Sequence, residues 1–242
     1  MPTPLALTAA GLAAAVAAGG LVTYAALSAS SQLFGPTLIA GSDPNEVALT
    51  FDDGPNGDTS LRLLDVLAHH NAKATFFVIG RFVREQPAIV RAIQQAGHLL
   101  GNHTMTHPWL HMQSHARIRE ELAGCNAAIE DTLGEPVRFF RAPHGARRPF
   151  VLRFARELGL TPVQWNVIAY DWNSQPATAL AARIERGIAG NVSRKRSSNI
   201  LMHDGGDRAL GAGRAPTIEA VDQLLRSFPA KGIRTVRVDA WQ

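Results

Sequence analysis

Residues 46–55 read EVALTFDDGP. A mostly apolar hexapeptide, Glu46–Phe51, runs into two adjacent carboxylates and a Gly-Pro turn, the pattern of a strand that ends on polar residues. Thr59–His70 follows with helical periodicity, capped by Asp58 or Thr59. This strand–turn–helix unit recurs to the end of the chain. Strands are expected at Ala74–Ile79, His98–Gly101, Arg138–Arg141, Pro162–Val167, Asn199–Met202 and Ile233–Val238. Helices are expected at Pro87–Ala96, Ser114–Leu133, Pro149–Leu158, Ala177–Ile188 and Pro216–Ala230. Proline opens the helix at Pro87, and Gly97 and Gly134 close two of the helices. Strict β/α alternation implies a parallel sheet with helices outside. About seven units in roughly 200 residues suit a distorted (β/α) barrel. An open doubly wound sheet is the alternative, but no glycine-rich fingerprint follows the first strand.

The 242 residues allow one domain with a full core and a short appendage. The layout expected is a hydrophobic signal or anchor segment over 1–28, a connector over 29–44 and a catalytic domain over 45–242. Leu5–Leu27 is a run of Ala, Leu, Val and Gly with no charged residue. As a helix it would extend about 34 Å, enough to cross a hydrocarbon core. That run implies a preceding hydrophobic helix and a membrane partner. The chain would be membrane-anchored facing the exterior or periplasm, or secreted if cut near Ala26-Leu27-Ser28-Ala29. Its alanine and glycine content and the lack of a basic flank weaken the membrane reading.

The net charge of +4 comes almost wholly from arginine; the only lysines are Lys73, Lys195 and Lys231. Arg194-Lys195-Arg196 reads as a solvated loop, and no aromatic residues interleave with it, so nucleic acid is not an expected partner. Cys125 is alone, which excludes an internal disulfide and any cysteine metal motif, and it reads as a buried inert thiol.

The unusual polar residues all fall at the carboxyl ends of expected strands. Asp52 and Asp53 follow the first strand, and Asn102, His103 and His107 the third. Arg141 to Gly145 follow the fourth, Asp171 and Trp172 the fifth, and His203 and Asp204 the sixth. In a β/α barrel those ends form one face, where active sites are built. Two histidines four residues apart are, alone, as consistent with caps and solvent contacts as with a metal. With Asp53 they make the two-His, one-carboxylate set of a catalytic zinc centre. Asp52 and Asp53 share one backbone direction, so one suits the metal and the other the attacking water as general base. The same string also reads as a simple turn. His203 is either a core histidine or the acid that protonates a leaving amine. Arg141 is either a surface ion pair or the partner of Asp52. Pro143-His144-Gly145 is either a turn or the source of a backbone N–H aimed at an oxyanion.

With these residues in hand, the chain resembles the polysaccharide deacetylase family, carbohydrate esterase family four, which includes chitin, chitooligosaccharide and peptidoglycan deacetylases. Thr50-Phe51-Asp52-Asp53-Gly54-Pro55 matches its first motif and His103-Thr104-Met105-Thr106-His107 its second. Arg141-Ala142-Pro143-His144-Gly145 looks like the third, Asp171-Trp172 the fourth and Leu201-Met202-His203 the fifth. The resemblance covers about Val47 to Arg237. It implies a divalent metal, zinc first and cobalt or another ion as alternatives, on Asp53, His103 and His107. It implies Asp52 as base, His203 as acid and Arg141 positioning Asp52. The amide at His144 would hold the oxyanion, and Trp172 and Leu201 would line the acetyl pocket, with Pro143 and Gly145 shaping the turn.

Two departures stand out. The family usually has tyrosine where His144 stands. Many members have an aspartate three residues before the Asp-Trp pair, where this chain has Ile168. Either Asp171 tunes His203 or that histidine is tuned differently. The activity implied is removal of N-acetyl groups from an amino sugar polymer. Three rivals remain: another metal-dependent amide or ester hydrolase, a glycosidase using two carboxylates on separate strands, and a non-enzymatic wall-binding protein.

Overall fold

The computed structural model describes residues 4–242, with side chains from Val16 onward. β1 (Glu46–Gly54) is the central strand, and all of its residues after Glu46 are buried. A continuous buried run, rather than alternation, is what a parallel strand covered on both faces requires. Seven further strands join it in one sheet: β2 (Thr75–Val78), β3 (Leu99–Asn102), β4 (Phe139–Phe140), β5 (Thr161–Pro162), β6 (Val167–Ile168), β7 (Ser198–His203) and β8 (Arg234–Val236). Their order is β5-β4-β3-β2-β1-β7-β6, and β8 pairs with the start of β1. All pairings are parallel.

The helices are α1 (Pro4–Leu27), α2 (Gly57–His69), α3 (Gly80–Glu85), α4 (Pro87–Gln95), α5 (His115–Leu133), α6 (Pro149–Glu157), α7 (Ala177–Ser193) and α8 (Ala215–Ser227). Ser114 caps α5 by accepting from the Arg117 amide, and Gly134 ends it in the left-handed region. The main core lies between the sheet and α2 to α8, around Phe51, Phe76, Phe140, Ile200 and Met202. Cys125 is buried there, and burial pushes its thiol up to about 12, as an inert thiol requires. Arg194, Lys195 and Arg196 are exposed after α7.

The expected strand Pro162–Val167 is instead two short pairings at opposite edges of the sheet. β5 bonds to β4, and β6 bonds to β7. One continuous segment therefore bridges both edges and curls the sheet into an incompletely closed barrel. The bridging backbone is met by side chains: Asn199 donates to the Gln164 carbonyl at 2.7 Å, and the Asn199 amide donates to Asn166 at 2.8 Å.

The membrane span expected over Leu5–Leu27 is not supported. Leu5 to Ala15 of that run lies outside the residues whose side chains are described. Among the described residues no helix is long and apolar enough to cross a membrane. The last turn of α1 is docked on protein: Ala25 and Ala26 are buried, and the Ala26 carbonyl accepts from the Arg147 amide at 2.9 Å. The Arg147 guanidinium holds the carbonyls of Ser28, Ser31 and Gly145 at 2.8, 2.7 and 2.9 Å. Leu38 adds a parallel bridge to Val163, so the connector too packs on the barrel.

Candidate active site

Successive residues of a strand point to opposite faces, which should separate Asp52 from Asp53. A bulge removes the conflict. Asp52 pairs with Phe77 and Gly54 with Val78, leaving Asp53 as the extra residue, at φ 71°. Both carboxylates then reach the same imidazole: His103 Nε2 lies 3.7 Å from Asp52 Oδ2 and 3.5 Å from Asp53 Oδ1. Gly205 packs under the turn, where any side chain would collide with the Asp53 carbonyl.

The loop after β3 brings the second histidine. Asn102 bonds the Thr104 amide at 2.7 Å, and the Thr104 hydroxyl accepts from the His107 amide at 3.0 Å. Buried Glu121 of α5 holds Thr106 by its amide and hydroxyl, at 2.7 and 2.6 Å. Thr104, His107 and His144 join Asp53 in the left-handed region, backbone strain gathered at one site. The loop sets His107 Nε2 3.2 Å from Asp53 Oδ1. His103 Nδ1 is 2.8 Å from the Arg141 carbonyl. A carbonyl only accepts, so Nδ1 carries the proton and the Nε2 lone pair faces Asp53.

One donor atom each from Asp53, His103 and His107 thus lies within 4.8 Å of the others, and Asp53 Oδ1 is buried without a hydrogen-bond partner. Converging lone pairs with an orphaned carboxylate oxygen fit a divalent cation. Burial alone would raise the Asp53 carboxyl. The neighbouring imidazoles of His103, His107 and His203 outweigh it and hold the group well below the usual carboxylate range. Burial pushes His107 down to about 3, so the ring is neutral, as a ligand must be.

Arg141 is fully buried across this cluster. Its Nη1 donates to Asp52 Oδ1 and to the Thr50 hydroxyl, both at 2.8 Å, and its guanidinium lies 4.2 Å over the Phe77 ring. On the other side, His203 at the end of β7 has its Nδ1 2.8 Å from Asp171 Oδ1. Burial works against a charged imidazole there. The Asp171 charge and hydrogen bond overcome it, with Asp53 and Asp52 adding to them, and raise the ring to about 9. These groups open into one cleft of about 490 Å³.

Residues 40–163 match the family model described as polysaccharide deacetylase. The chain belongs to the polysaccharide deacetylase family. Among its relatives is a chitooligosaccharide deacetylase of Azorhizobium caulinodans, 36% identical over 196 residues, covering 78% of this chain and 90% of that protein. A peptidoglycan-N-acetylglucosamine deacetylase of Bacillus cereus is 34% identical over 191 residues, covering 79% and 66%. A family 4 acetyl xylan esterase of Clostridium thermocellum, solved with a cobalt ion, superposes with TM-score 0.71 at 32% identity, covering 81% of this chain and 89% of that one.

Within this deacetylase fold, Asp52, Asp53, His103, His107, His144, Trp172, Leu201 and His203 all line the cleft. Arg141 and Asp171 stand behind it, each holding a lining residue. Pro143 and Gly145 are buried in the turn that presents His144. Gly145 is at φ 66° with Trp165 against it, a position only glycine fills easily. Sequence reasoning gave no role to Trp109, Trp165, Tyr170, Asp207 or Arg214, which also line the cleft. Trp109 stacks on His144 with ring centroids 3.8 Å apart. Its place two residues past His107 was the available signal. Asp204 is buried beneath the Asp52–Gly54 turn. It donates its amide to the Asp52 carbonyl at 3.2 Å and accepts from Ser60 at 2.5 Å, and burial raises its carboxyl to about 7.

Proposed function

We propose that this chain is a metal-dependent N-deacetylase acting on an N-acetylated amino sugar glycan, of peptidoglycan or chitin type. The observation that carries this reading is the donor set of Asp53, His103 and His107, flanked by Asp52 on one side and the Asp171-paired His203 on the other. Zinc is the first expectation for this ligand set, and cobalt suits it too. When bound, such an ion polarises the acetamide carbonyl and acidifies water.

The chain's own groups supply the rest. Asp52, fixed by Arg141, takes the proton of the attacking water. The His144 amide donates to the oxygen that gains charge. His203 delivers a proton to the departing nitrogen, so acetate leaves and a free amine remains on the sugar. Trp172 and Leu201 enclose the acetyl methyl. An amine is a poor leaving group and needs that proton, and a His203 held to about 9 still carries it at neutral pH. This favours amide over ester, although a relative is an acetyl xylan esterase. A wall-type glycan lies outside the cytoplasm, so the enzyme works there, with residues 1–28 as its export segment.

The test is acetate release by the full chain from N-acetylglucosamine oligomers, peptidoglycan and acetylated xylan, with zinc, after chelation, and with Asp52→Asn. Zinc-dependent release from an amino sugar, lost in the variant, supports the reading. Release from xylan alone moves the substrate to esters, and release unaffected by chelation refutes metal dependence.

A further inference from the structure

His107 is the unfinished half of the metal centre. Its ring is buried, its Nε2 faces Asp53 at 3.2 Å, and its Nδ1 has no hydrogen-bond partner among the described residues. The other imidazole is complete: the Arg141 carbonyl fixes the His103 tautomer at 2.8 Å. A ligating imidazole whose second nitrogen is free is neither held in orientation nor committed to the tautomer that offers Nε2. One carboxylate stands next to that nitrogen. Asp207 Oδ2 is 3.6 Å from His107 Nδ1.

Asp207 is delivered there by a braced loop. The Arg81 guanidinium donates to the Asp207 carbonyl, and to the Arg208 carbonyl at 3.0 Å. Arg81 lies in the first turn of α3. The Gly80 and Arg81 amides of that turn hold the carbonyls of Thr104 and Met105 at 3.0 and 3.1 Å. The same short helix therefore grips both the loop bearing His107 and the loop bearing Asp207. Further along, the Asn56 side chain takes the Gly211 amide at 2.6 Å and donates to the Ala212 carbonyl at 2.8 Å, while Arg214 Nε donates to Gly205 at 2.8 Å. The backbone is fixed, but the Asp207 side chain is 46% exposed. A 3.6 Å gap is just beyond hydrogen-bond range, and a rotation of that side chain or one bridging water closes it.

Resting on the metal-site reading above, we propose that Asp207 is a positioning residue for His107: its carboxylate accepts the Nδ1–H and holds the ring with its Nε2 lone pair toward Asp53. A carboxylate in this role does more than the carbonyl behind His103. It raises the basicity of the imidazole and adds negative charge beside the cation, so its loss weakens metal binding rather than folding.

The test titrates the metal-free full chain with zinc against a competing chromophoric chelator, for wild type, Asp207→Ala, Asp207→Asn and His103→Ala, and records metal-free thermal unfolding of each. Asp207→Ala is expected to weaken zinc binding about tenfold or more. Asp207→Asn should recover part of the loss through its amide oxygen, and the metal-free melting temperatures should coincide. If Asp207→Ala binds zinc like wild type while His103→Ala does not, the Asp207 role is refuted and the metal site stands. If His103→Ala also binds like wild type, the metal-site reading fails and takes this inference with it. A parallel fall in the metal-free melting temperature of Asp207→Ala would make the residue structural and overturn the proposal.

Discussion

Asp171 grips His203 twice: Oδ1 lies 2.8 Å from the ring Nδ1, and Oδ2 accepts the backbone N–H of the same residue at 2.8 Å. Thr217 donates to Oδ2 at 2.9 Å, so the carboxylate cannot turn away. Asp171 thus stands where an acid histidine needs its partner, and Ile168 contributes only cleft wall.

Replacing Asp171 with asparagine removes the charge that holds His203 at about 9. A raised pKa means the proton is kept through neutral pH and released as pH rises through about 9. Without the aspartate, burial pulls the value back toward or below 6.5. The alkaline limb of the pH–rate profile should move to lower pH by about two units, with a loss of roughly tenfold or more at pH 8. With Asp171 ionised, the raised histidine contributes stability that is fully present below about 6.5 and lost by about 9. An unshifted alkaline limb would remove His203 from the role of acid.

Arg141 holds Asp52, the proposed base, as Asp171 holds His203. Asp52→Asn should lower kcat by about 10³-fold while leaving zinc affinity nearly intact, because Asp52 is not among the three converging ligands. Arg141→Met leaves a buried carboxylate alone and should cost about 3 kcal/mol or more of stability. Chelator competition and thermal unfolding separate the two effects. Equal loss of zinc from Asp52→Asn would place that carboxylate among the ligands.

Much of this site was legible because chemistry and topology coincide in the chain. Asp52, His103, Arg141, Asp171 and His203 each end or follow a strand, and parallel strands bring their carboxyl ends to one face. What stayed hidden depends on backbone geometry that residue type does not announce. The Asp52–Asp53 conflict is resolved by one extra residue in the ladder, and nothing but a non-glycine at positive φ marks it. Pro162–Val167 reads as one strand because Val163, Trp165 and Val167 alternate with Gln164 and Asn166, yet it serves two sheet edges. Asp207 and Arg214 sit in a glycine-rich loop with no periodicity, so only the folded chain brings them to the cleft. The membrane expectation rested on length and apolarity, while the docking of Ala26 depends on an arginine 121 positions away.

His107 gives the metal-free protein a characteristic acid sensitivity. Its folded value is about 3, below the ordinary 6.5. The unfolded chain therefore binds a proton that the native state refuses, and stability falls as pH drops from about 6.5 toward 3, by up to about 1.4 kcal/mol per pH unit. Zinc at a thousand times its Kd should add about 4 kcal/mol at neutral pH. Thermal unfolding across pH 4 to 7, with zinc and with chelator, measures both. A metal-free curve that is flat below pH 6.5 would mean that His107 is not buried as a neutral ring.

Arg147 ties the N-terminal arm to the turn that presents His144. Its buried guanidinium donates through Nη1 and Nη2 to the carbonyls of Ser28, Ser31 and Gly145, and its amide donates to Ala26. Gly145 belongs to the turn that presents His144, so the arm and that wall of the cleft share one cation. A cut after Ala29 removes Ala26 and Ser28 and leaves two buried donors without their acceptors, at about 1 kcal/mol each. A chain beginning at Ser30 should melt about 4–8 °C below the full chain. It should also show a lower kcat with KM little changed, because the turn loosens while the metal ligands stay put. Arg147→Met in the full chain should reproduce the kcat loss. If the cut chain matches the full one in both melting temperature and kcat, the arm merely lies against the barrel, and Arg147 serves the turn through Gly145 alone.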